Sequence, residues 1–278
     1  VAGFHVAGKR LDIDIVFPML HGPFGEDGTI QGLLEMANLA YVGSGVLASA
    51  VAMDKSFAKP IFASHGIATA PGIVIKESEW KREKSTLSTK IAAFGYPVFV
   101  KPARGGSSRG TSKVKSDTEL DQAMQAAFTF DSKVMVEVAI VGSEIECAVL
   151  EIDGKVRASI PGKVSIDPKY EFYDFEAKYL DGATDIIVPA PIEKEILEKV
   201  QHAAIAAFQA LGCSGLARVD FFLTQDGKII INELNTMPGF TTTSVFPKMW
   251  AASGIKFTEV ITHLLETALT RTNGTLGN

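Results

Sequence analysis

The feature that most constrains the fold is a pair of strand-like runs, LARVDFFL and KIIINEL, separated by the turn sequence TQDG. Two such runs joined by a short glycine-containing turn predict a β-hairpin. Because side chains alternate across a strand, we expect Arg218, Asp220 and Phe222 to share one face of the first strand. Glu233 and Asn235 should likewise share a face of its partner. The hairpin therefore carries charged side chains within otherwise apolar strands.

These polar side chains have the chemistry of a metal site. Asp220, Glu233 and Asn235 offer hard oxygen ligands of the kind that Mg²⁺ accepts, together with phosphate oxygens and water. The alternative is an ordinary solvated hairpin face. A carboxylate within IIINEL favours the metal site, because burying an unpaired carboxylate is costly.

A second signal is VFVKPARGGSSRG, a strand that ends in Lys101 and leads into a glycine- and serine-rich loop. Glycines let backbone amides approach phosphate oxygens, the hydroxyls of Ser107 and Ser108 add donors, and lysine supplies a point charge. The order differs from the GxxxxGK[ST] phosphate loop, because the lysine precedes the glycines. A surface turn beside an exposed lysine is the alternative.

A third signal lies near the start of the chain, where the apolar run IDIVFPML leads into the loop HGPFG, the helical pattern TIQGLLEMANLA and YVGS. This order predicts a strand, loop, helix and strand, and open α/β sheets bind ligands at the carboxyl ends of their strands. His21 opens the loop. A single histidine at such a place is more often a structural hydrogen-bonding group than a catalytic one.

The hydrophobic periodicity predicts three regions, residues 1–52, 53–184 and 185–278. The first is an α/β unit; the second begins with the helix MDKSFAKPIFASHG and continues with strands. The third contains the helical stretch EILEKVQHAAIAAFQAL, the hairpin and a closing amphipathic helix. The segment PGKVSIDPKYEFYDFEAKYLDGATD is polar and punctuated by proline and glycine, so we expect a long loop that closes over a site.

Composition excludes several classes of protein. A formal charge of -5 argues against a nucleic-acid groove, and no apolar run is long enough to span a membrane. Cys147 and Cys213 lack metal or disulfide spacing, and the first residues lack the order of a secretory signal. We expect a soluble protein of the cytoplasm with no membrane or nucleic-acid partner.

Seven motifs, in order along the chain, resemble those of the D-alanine-D-alanine ligases: HGPFGEDGTIQG, MDK, VKPARGGSS, EVAIVGSE, YEFYDFEAKY, RVDFF and NELNTMPGFTTTS. The resemblance implies the ATP-grasp fold, of the α+β and α/β classes, with an incomplete amino-terminal α/β subdomain, a central strand-rich subdomain and a carboxy-terminal α+β subdomain. It implies an ATP-dependent enzyme that joins two D-alanines for peptidoglycan precursors, with two Mg²⁺ or Mn²⁺ ions, as a homodimer.

The resemblance also implies roles for individual residues around the nucleotide. Those expected to contact ATP or its phosphates are Lys55, Lys101, Ser107, Ser108, Glu137, Val138, Ile140, Glu144, Lys178 and Phe222. Glu144 would bind the ribose, whereas as bare sequence it reads as a solvated charge at a strand end. The family often has an aromatic residue or lysine after the hinge glutamate, where this chain has Val138 and Ala139.

Further roles concern the reacting groups. The residues that the resemblance implies for catalysis are Arg218, Ser107, Tyr179, Lys178, His21 and Gly239. Arg218 and the Gly239 amide would stabilise the tetrahedral oxyanion, and Lys178 the transferring phosphoryl group. Tyr179 favours an amine acceptor over D-lactate. As bare sequence, Lys178 and Tyr179 read as exposed loop residues.

Around the amino-acid substrates, the resemblance implies contacts from His21, Glu26, Ser244 and Val245. The family also has an upstream glutamate in a glycine-rich motif that this sequence does not contain, so we expect the complete chain to begin earlier. Two alternatives remain: another ATP-grasp carboxylate-amine, carboxylate-thiol or D-alanine-D-lactate ligase, and a nucleotide-binding regulator without turnover.

Overall fold

The computed structural model describes residues 5–166, 184–241 and 244–271. Its helices are α1 (Thr29–Met36), α2 (Val46–Met53), α3 (Lys55–Ser64), α4 (Glu77–Ala92), α5 (Asp117–Phe128), α6 (Lys194–Ala210), α7 (Val245–Ala252) and α8 (Phe257–Thr270). Its strands are β1 (His5–Val6), β2 (Lys9–Arg10), β3 (Ile15–Val16), β4 (Ala40–Tyr41), β5 (Gly72–Lys76), β6 (Val98–Pro102), β7 (Ser112–Val114), β8 (Lys133–Val138), β9 (Gly142–Ile152), β10 (Lys155–Ala158), β11 (Gly162–Ile166), β12 (Thr184–Ile187), β13 (Leu216–Thr224) and β14 (Ile229–Asn235).

A four-stranded antiparallel sheet has the strand order β5-β8-β6-β7. Strand β6 alternates between buried and partly exposed residues, so one face packs on α4 and α5 and the other is left for the site. The core beneath it contains Trp80, Val100, Leu120 and Met124, each at most 1% exposed. This core holds Lys101 and Glu137 in fixed positions on neighbouring strands.

A six-stranded sheet has the order β12-β11-β9-β13-β14, and β10 pairs with the far end of β9. One face packs on α3 and α6 through residues such as Phe62, Phe208 and Phe221. The other face packs, at one end, on α7 and α8 through Phe246 and Trp250. The remaining end of this second face carries polar side chains and is directed toward the four-stranded sheet.

The amino-terminal region confirms the predicted strand-loop-helix-strand order. Strands β3 and β4 are parallel, with α1 between them in the chain, and Leu34 and Tyr41 form a small core. Parallel strands require a crossover connection, which α1 supplies. The loop with His21 leaves the carboxyl end of β3 and reaches the carboxyl end of β14.

The predicted hairpin is confirmed as β13 and β14, with a bulge after Asp220. The loop prediction for residues 161–185 is wrong for Gly162–Ile166, which forms β11, and for Thr184 and Asp185, which begin β12. The reason is that β9 leaves backbone groups free beside β10, and β11 pairs with them. Residues 167–183 lie outside the described residues. The helix α2 was not predicted.

The three predicted regions remain predictions, and the six-stranded sheet joins strands from both sides of the boundary at residue 184. Within the described ranges, no helix combines the length and apolar character needed to cross a bilayer.

Candidate active site

A cavity of about 560 Å³ lies between the two sheets. Its walls come from β6, β7 and β8 on one side and from β9, β11, β13 and β14 on the other. The predicted nucleotide residues that line it are Lys55, Lys101, Ser108, Glu137, Val138, Ile140, Glu144 and Phe222. Glu233 lines it as well. A volume of this size is ordinary for a small-molecule site.

One wall carries a group of four side chains that we call the lysine cluster: Lys55, Lys59, Lys101 and Glu137. The Glu137 carboxylate is 4% exposed and contacts two ammonium groups. One oxygen pairs with Lys59, and the other lies 2.5 Å from Lys101 Nζ. Lys101 Nζ also donates to Asn232 Oδ1 at 3.2 Å. The cluster contains three lysines and one glutamate.

The start of α3 brings two of these lysines to the site. Asp54 caps the helix by accepting a hydrogen bond from the Ser56 amide at 3.1 Å. The Lys55 amide donates to the Ala103 carbonyl at 3.0 Å, which ties the helix to the end of β6. Lys55 and Lys59 stand one turn apart on the same face of α3, and Lys55 lines the cavity while Lys59 pairs with Glu137.

Burial and neighbouring charges shift the pKa values of Lys59 and Glu137 in the lysine cluster. Burial lowers the pKa of Lys59, as does the charge of Lys101, and these effects outweigh Glu137, so that the pKa is about 8. Burial raises the pKa of Glu137, but Lys101 and Lys59 outweigh it and the net pKa lies below its ordinary value. Glu137 is therefore a permanent anion at neutral pH.

The glycine-rich loop is anchored to the lysine cluster, because Lys55 Nζ donates to the Gly105 carbonyl at 2.8 Å. Ser107 and Ser108 have φ angles of 52° and 56°, in the left-handed region that non-glycine residues rarely adopt. Gly110 has φ 71°, and a Cβ there would lie 2.6 Å from the Phe130 ring. Left-handed residues at a loop tip are common at ligand-binding turns.

The opposite wall carries the carboxylate cluster, which we define as Glu146, Arg218, Asp220, Glu233 and Asn235. Asp220 faces Glu233 across the hairpin, and Arg218 faces Asn235. Arg218 binds both Asp220 oxygens at 2.7 Å. The Asn235 amide donates to Asp220 at 3.1 Å, and Arg218 Nε lies 3.4 Å from Glu146. The three predicted metal ligands are thus neighbours.

Burial lowers the pKa of Arg218, but Asp220 and Glu146 outweigh it, and the pKa lies well above its ordinary value. The arginine therefore carries a fixed positive charge beside the predicted metal ligands. Lys55 Nζ lies 2.8 Å from Glu233 Oε2, so the lysine cluster and the carboxylate cluster are joined by one ion pair.

The donors present suit a hard divalent cation bound together with phosphate. Among the residues that the structure describes, no three histidine, cysteine, aspartate or glutamate side chains converge on a metal position. Two carboxylates and one amide are neighbours here, because Asp220 pairs with Glu233 across the hairpin and accepts a hydrogen bond from Asn235. This set leaves coordination positions for phosphate oxygens and water, as is usual for Mg²⁺.

The loop from the amino-terminal region contacts the end of β14. The Met237 carbonyl accepts a hydrogen bond from His21 Nδ1 at 2.9 Å. Glu26 accepts from the Gly22 amide at 2.7 Å and the Met237 amide at 3.2 Å. Burial raises the pKa of Glu26 above its ordinary value. A small pocket beside the main cavity is lined by Glu26, Glu233 and Asn235.

Gly239 and Ser244 lie close together after β14. A Cβ at Gly239 would be 3.1 Å from Ser244 Oγ, and Ser244 Oγ accepts from the Thr241 amide at 3.0 Å. Ser244 precedes the first turn of α7, where free helix amides favour a carboxylate. Val245 packs against the core beneath the helix. Lys178 and Tyr179 lie outside the described residues.

Sequence reasoning missed Asn232, Lys59 and Glu146. The β-bulge adds one residue to β14 and turns Asn232 toward Lys101, which strict alternation does not foresee. Lys59 had one signal, its spacing of four residues from Lys55 in a helical stretch.

The chain is similar to known proteins along most of its length. The sequence profile described as "D-ala D-ala ligase C-terminus" matches residues 61–266, and "D-ala D-ala ligase N-terminus" matches residues 2–44. A D-alanine--D-alanine ligase of Streptomyces coelicolor is 50% identical over 95% of this chain and 68% of its own length. One from Mycobacterium avium is 53% identical over 93% of this chain and 70% of its own length.

Two solved structures have the same fold. The VanG D-Ala:D-Ser ligase from Enterococcus faecalis aligns with a TM-score of 0.85 and 38% identity, over 94% of this chain and 74% of that one. The D-alanine-D-alanine ligase from Coxiella burnetii aligns with a TM-score of 0.80 and 38% identity, over 94% and 70%. The predicted ATP-grasp fold is confirmed, and the chain belongs to the D-alanine-D-alanine ligase family.

Proposed function

We propose that this chain joins two D-alanines to D-alanyl-D-alanine at the expense of ATP. The observation that carries the proposal is the meeting of the two clusters across one cavity, where Lys55 of the lysine cluster pairs with Glu233 of the carboxylate cluster. Cations grip a triphosphate from one side, and oxygen ligands hold its metal from the other. Family membership supplies the amino-acid substrate.

The cavity fits ATP with its base at the far end from the hairpin carboxylates. Val138 and Ile140 flank the adenine, Phe222 packs on its face and Glu144 binds the ribose. Phe222 and Glu144 face each other on β13 and β9, so they form one continuous surface. Lys55, Lys101 and the hydroxyls of Ser107 and Ser108 contact the phosphates.

Two Mg²⁺ or Mn²⁺ ions complete the site, held by Asp220, Glu233 and Asn235. When bound, they neutralise phosphate charge during phosphoryl transfer. Arg218 and Lys55 hold Asp220 and Glu233 in place before any ion arrives. The protein thus fixes the ligand geometry, which is its main contribution at such a site.

The reaction has two steps. A carboxylate oxygen of the first D-alanine attacks the γ-phosphorus and ADP leaves, which gives an acyl phosphate and turns a poor electrophile into a reactive one. The amine of the second D-alanine then attacks the carbonyl, inorganic phosphate leaves, and the amine loses a proton. Arg218 and the Gly239 amide stabilise the oxyanion of the tetrahedral intermediate. Lys178 neutralises the transferring phosphoryl group.

The amino-acid substrates bind beside the triphosphate, in the small pocket next to the hairpin. His21 and Glu26 contact the first D-alanine, whereas Ser244 and the adjoining Val245 contact the carboxylate of the second. Glu26 lines that pocket with two of the metal ligands, which supports this placement. Ser107 and Tyr179 complete the positioning of the first substrate.

Phosphate release tests the proposal. The protein is supplied with ATP, Mg²⁺ and one of D-alanine, L-alanine, or D-alanine mixed with D-lactate or D-serine, and the products are identified by mass spectrometry. We expect D-alanine alone to support release, with D-alanyl-D-alanine as the product. Release that needs D-lactate or D-serine would assign a different second substrate, and no amino-acid dependence would contradict the ligase.

We also propose that the enzyme works in the cytoplasm as a homodimer and supplies peptidoglycan precursors. Leu33, Met36 and Leu47 on α1 and α2 are 50%, 88% and 77% exposed, an apolar surface of the kind that pairs subunits. Sedimentation velocity tests the dimer. A monomer at all concentrations would contradict it.

A further inference from the structure

Lys59 has no role in the function proposed above, yet it is among the most buried charges of the cavity region. Its side chain is 7% exposed, and its ammonium pairs with Glu137. Among the described residues that line the cavity, Lys55, Lys101 and Glu137 are present and Lys59 is not. Lys59 therefore lies behind the carboxylate, on the side away from the nucleotide.

The Glu137 carboxylate uses its two oxygens for two different cations. Oε1 faces Lys59, and Oε2 lies 2.5 Å from Lys101 Nζ. With Lys101 alone, the pair would be neutral and the ammonium would be held on its carboxylate. With Lys59 behind it, the three groups keep one net positive charge. That charge faces the cavity, because Lys101 is the cation of these three groups that lines it.

We propose that Lys59 is a positioning residue that holds Glu137 from behind, so that Lys101 keeps its charge available for the ATP phosphates. This inference rests on the proposed function, because it assumes that the anion in the cavity is a nucleotide triphosphate. Lys59 acts through Glu137 and Lys101 and does not touch the substrate itself.

A pH dependence follows from the same geometry. The charged groups that act on Lys59 are Lys55 on its own helix, Lys101 on β6 and Glu137 on β8, while Glu233 on β14 faces Lys55. The pKa of Lys59 is about 8, so the free protein loses this charge as the pH rises through about 8. Bound phosphate favours the protonated lysine, so ATP binding weakens at high pH while turnover at saturating ATP changes little.

The test measures binding of magnesium and the non-hydrolysable analogue AMP-PNP by calorimetry, without D-alanine, from about pH 6.5 to about pH 9.5. We expect Lys59→Met to weaken binding about tenfold at neutral pH, because one charge is lost from a hydrogen-bonded cluster. Lys59→Arg should bind within about twofold of the native protein and lose the pH dependence near 8, since arginine stays charged. Lys84→Met, which removes an exposed lysine paired with Asp121, should change nothing.

The double variant Lys59→Met with Glu137→Gln separates charge from packing. It restores the net positive charge to Lys101, so we expect it to bind AMP-PNP more tightly than Lys59→Met alone. If the single variant does not fold, Lys59→Arg still tests the inference, because a titrating Lys59 predicts that the pH dependence near 8 disappears in that variant.

Two results would overturn the inference: native affinity in Lys59→Met, or a double variant that binds the analogue no better than the single one. Steady-state kinetics should agree, with KM for ATP raised and kcat within about twofold in Lys59→Met. A native protein that binds AMP-PNP but releases no phosphate with D-alanine would count against the proposed function instead.

Discussion

The two clusters that face each other across the cavity differ in charge and in how they are held. The lysine cluster has three lysines for one glutamate, and the packed core of the four-stranded sheet supports Lys101 and Glu137. The carboxylate cluster has three carboxylates for one arginine, and the pairing of β9, β13 and β14 supports it. Lys55 and Glu233 join the two. The lysine cluster therefore has an excess of positive charge and the carboxylate cluster an excess of negative charge. A triphosphate would neutralise the first, and its metal ions would neutralise the second.

The two clusters also differ in how their cations bind: the arginine makes a bidentate contact, whereas the lysines make single contacts. Arg218 makes a bidentate pair with Asp220 through its planar fork, which fixes orientation. Lys101 and Lys55 each make single contacts with more than one partner, which can be exchanged for phosphate oxygens. The carboxylate cluster therefore holds its side chains in fixed orientations, whereas the lysines of the other cluster can exchange their protein partners for phosphate oxygens.

The largest expected effect breaks the carboxylate cluster. Arg218→Ala should lower kcat for ligation by about 10³-fold, the size typical of losing an oxyanion donor, while AMP-PNP binding persists. The change also frees Asp220, so metal binding should be measured in parallel. Arg82→Ala, which removes an exposed arginine paired with Glu83, is the control. Ligation at the native rate in Arg218→Ala would refute the oxyanion role.

A smaller effect is expected at the ion pair between the clusters. Glu233→Gln removes a metal ligand and the partner of Lys55, so the Mg²⁺ concentration needed for half-maximal activity should rise about 10- to 100-fold. A magnesium titration at fixed ATP measures this requirement. The exposed Glu198→Gln on α6 is the control. An unchanged magnesium dependence would remove Glu233 from the metal site.

A modest effect on the KM for ATP is expected at Asn232, the extra residue of the β-bulge. Asn232→Ala removes the 3.2 Å contact with Lys101 and should raise KM for ATP about fivefold with little change in kcat. Kinetics at varied ATP test this expectation. A fall in kcat with unchanged KM would place Asn232 in the chemical step rather than in nucleotide binding.

The smallest expected effect concerns Glu26 beside the carboxylate cluster. Its folded pKa is raised, so the folded protein binds more protons than the unfolded chain between the ordinary glutamate pKa and the raised one. Stability should therefore fall as the pH rises through that window. Urea unfolding across mildly acidic pH should show this fall in the native protein and a weaker one in Glu26→Gln. Equal slopes would show that Glu26 does not contribute.

The strand faces of the carboxylate cluster could be predicted from the sequence, whereas the contacts within the lysine cluster could not. Alternation placed Arg218 and Asp220 on one face of the first strand and Glu233 and Asn235 on one face of the second. The bulge then pairs Asp220 with Glu233, because the register set by the turn would place Asp220 opposite Asn232. Lys59 and Lys101 are far apart in the chain and meet only through Glu137 on a third element. Local sequence patterns do not predict contacts between residues so far apart in the chain.

The missed Asn232 and the missed strand β11 also depend on contacts between distant parts of the chain. The bulge that presents Asn232 depends on how β13 and β14 twist, and β11 forms because β9 needs a neighbour. Neither the bulge nor the pairing of β11 can be predicted from the local sequence. The resemblance to a family supplied the predicted site residues, and the fold shows which contacts hold them.

The most direct measurement is a crystal structure with AMP-PNP and Mn²⁺, in which the anomalous signal locates the metal. We expect manganese peaks within about 2.2 Å of oxygen atoms of Asp220, Glu233 and Asn235, with Lys55 and Lys101 on the phosphates. Manganese elsewhere, or a nucleotide whose phosphates lie away from these lysines, would contradict the account.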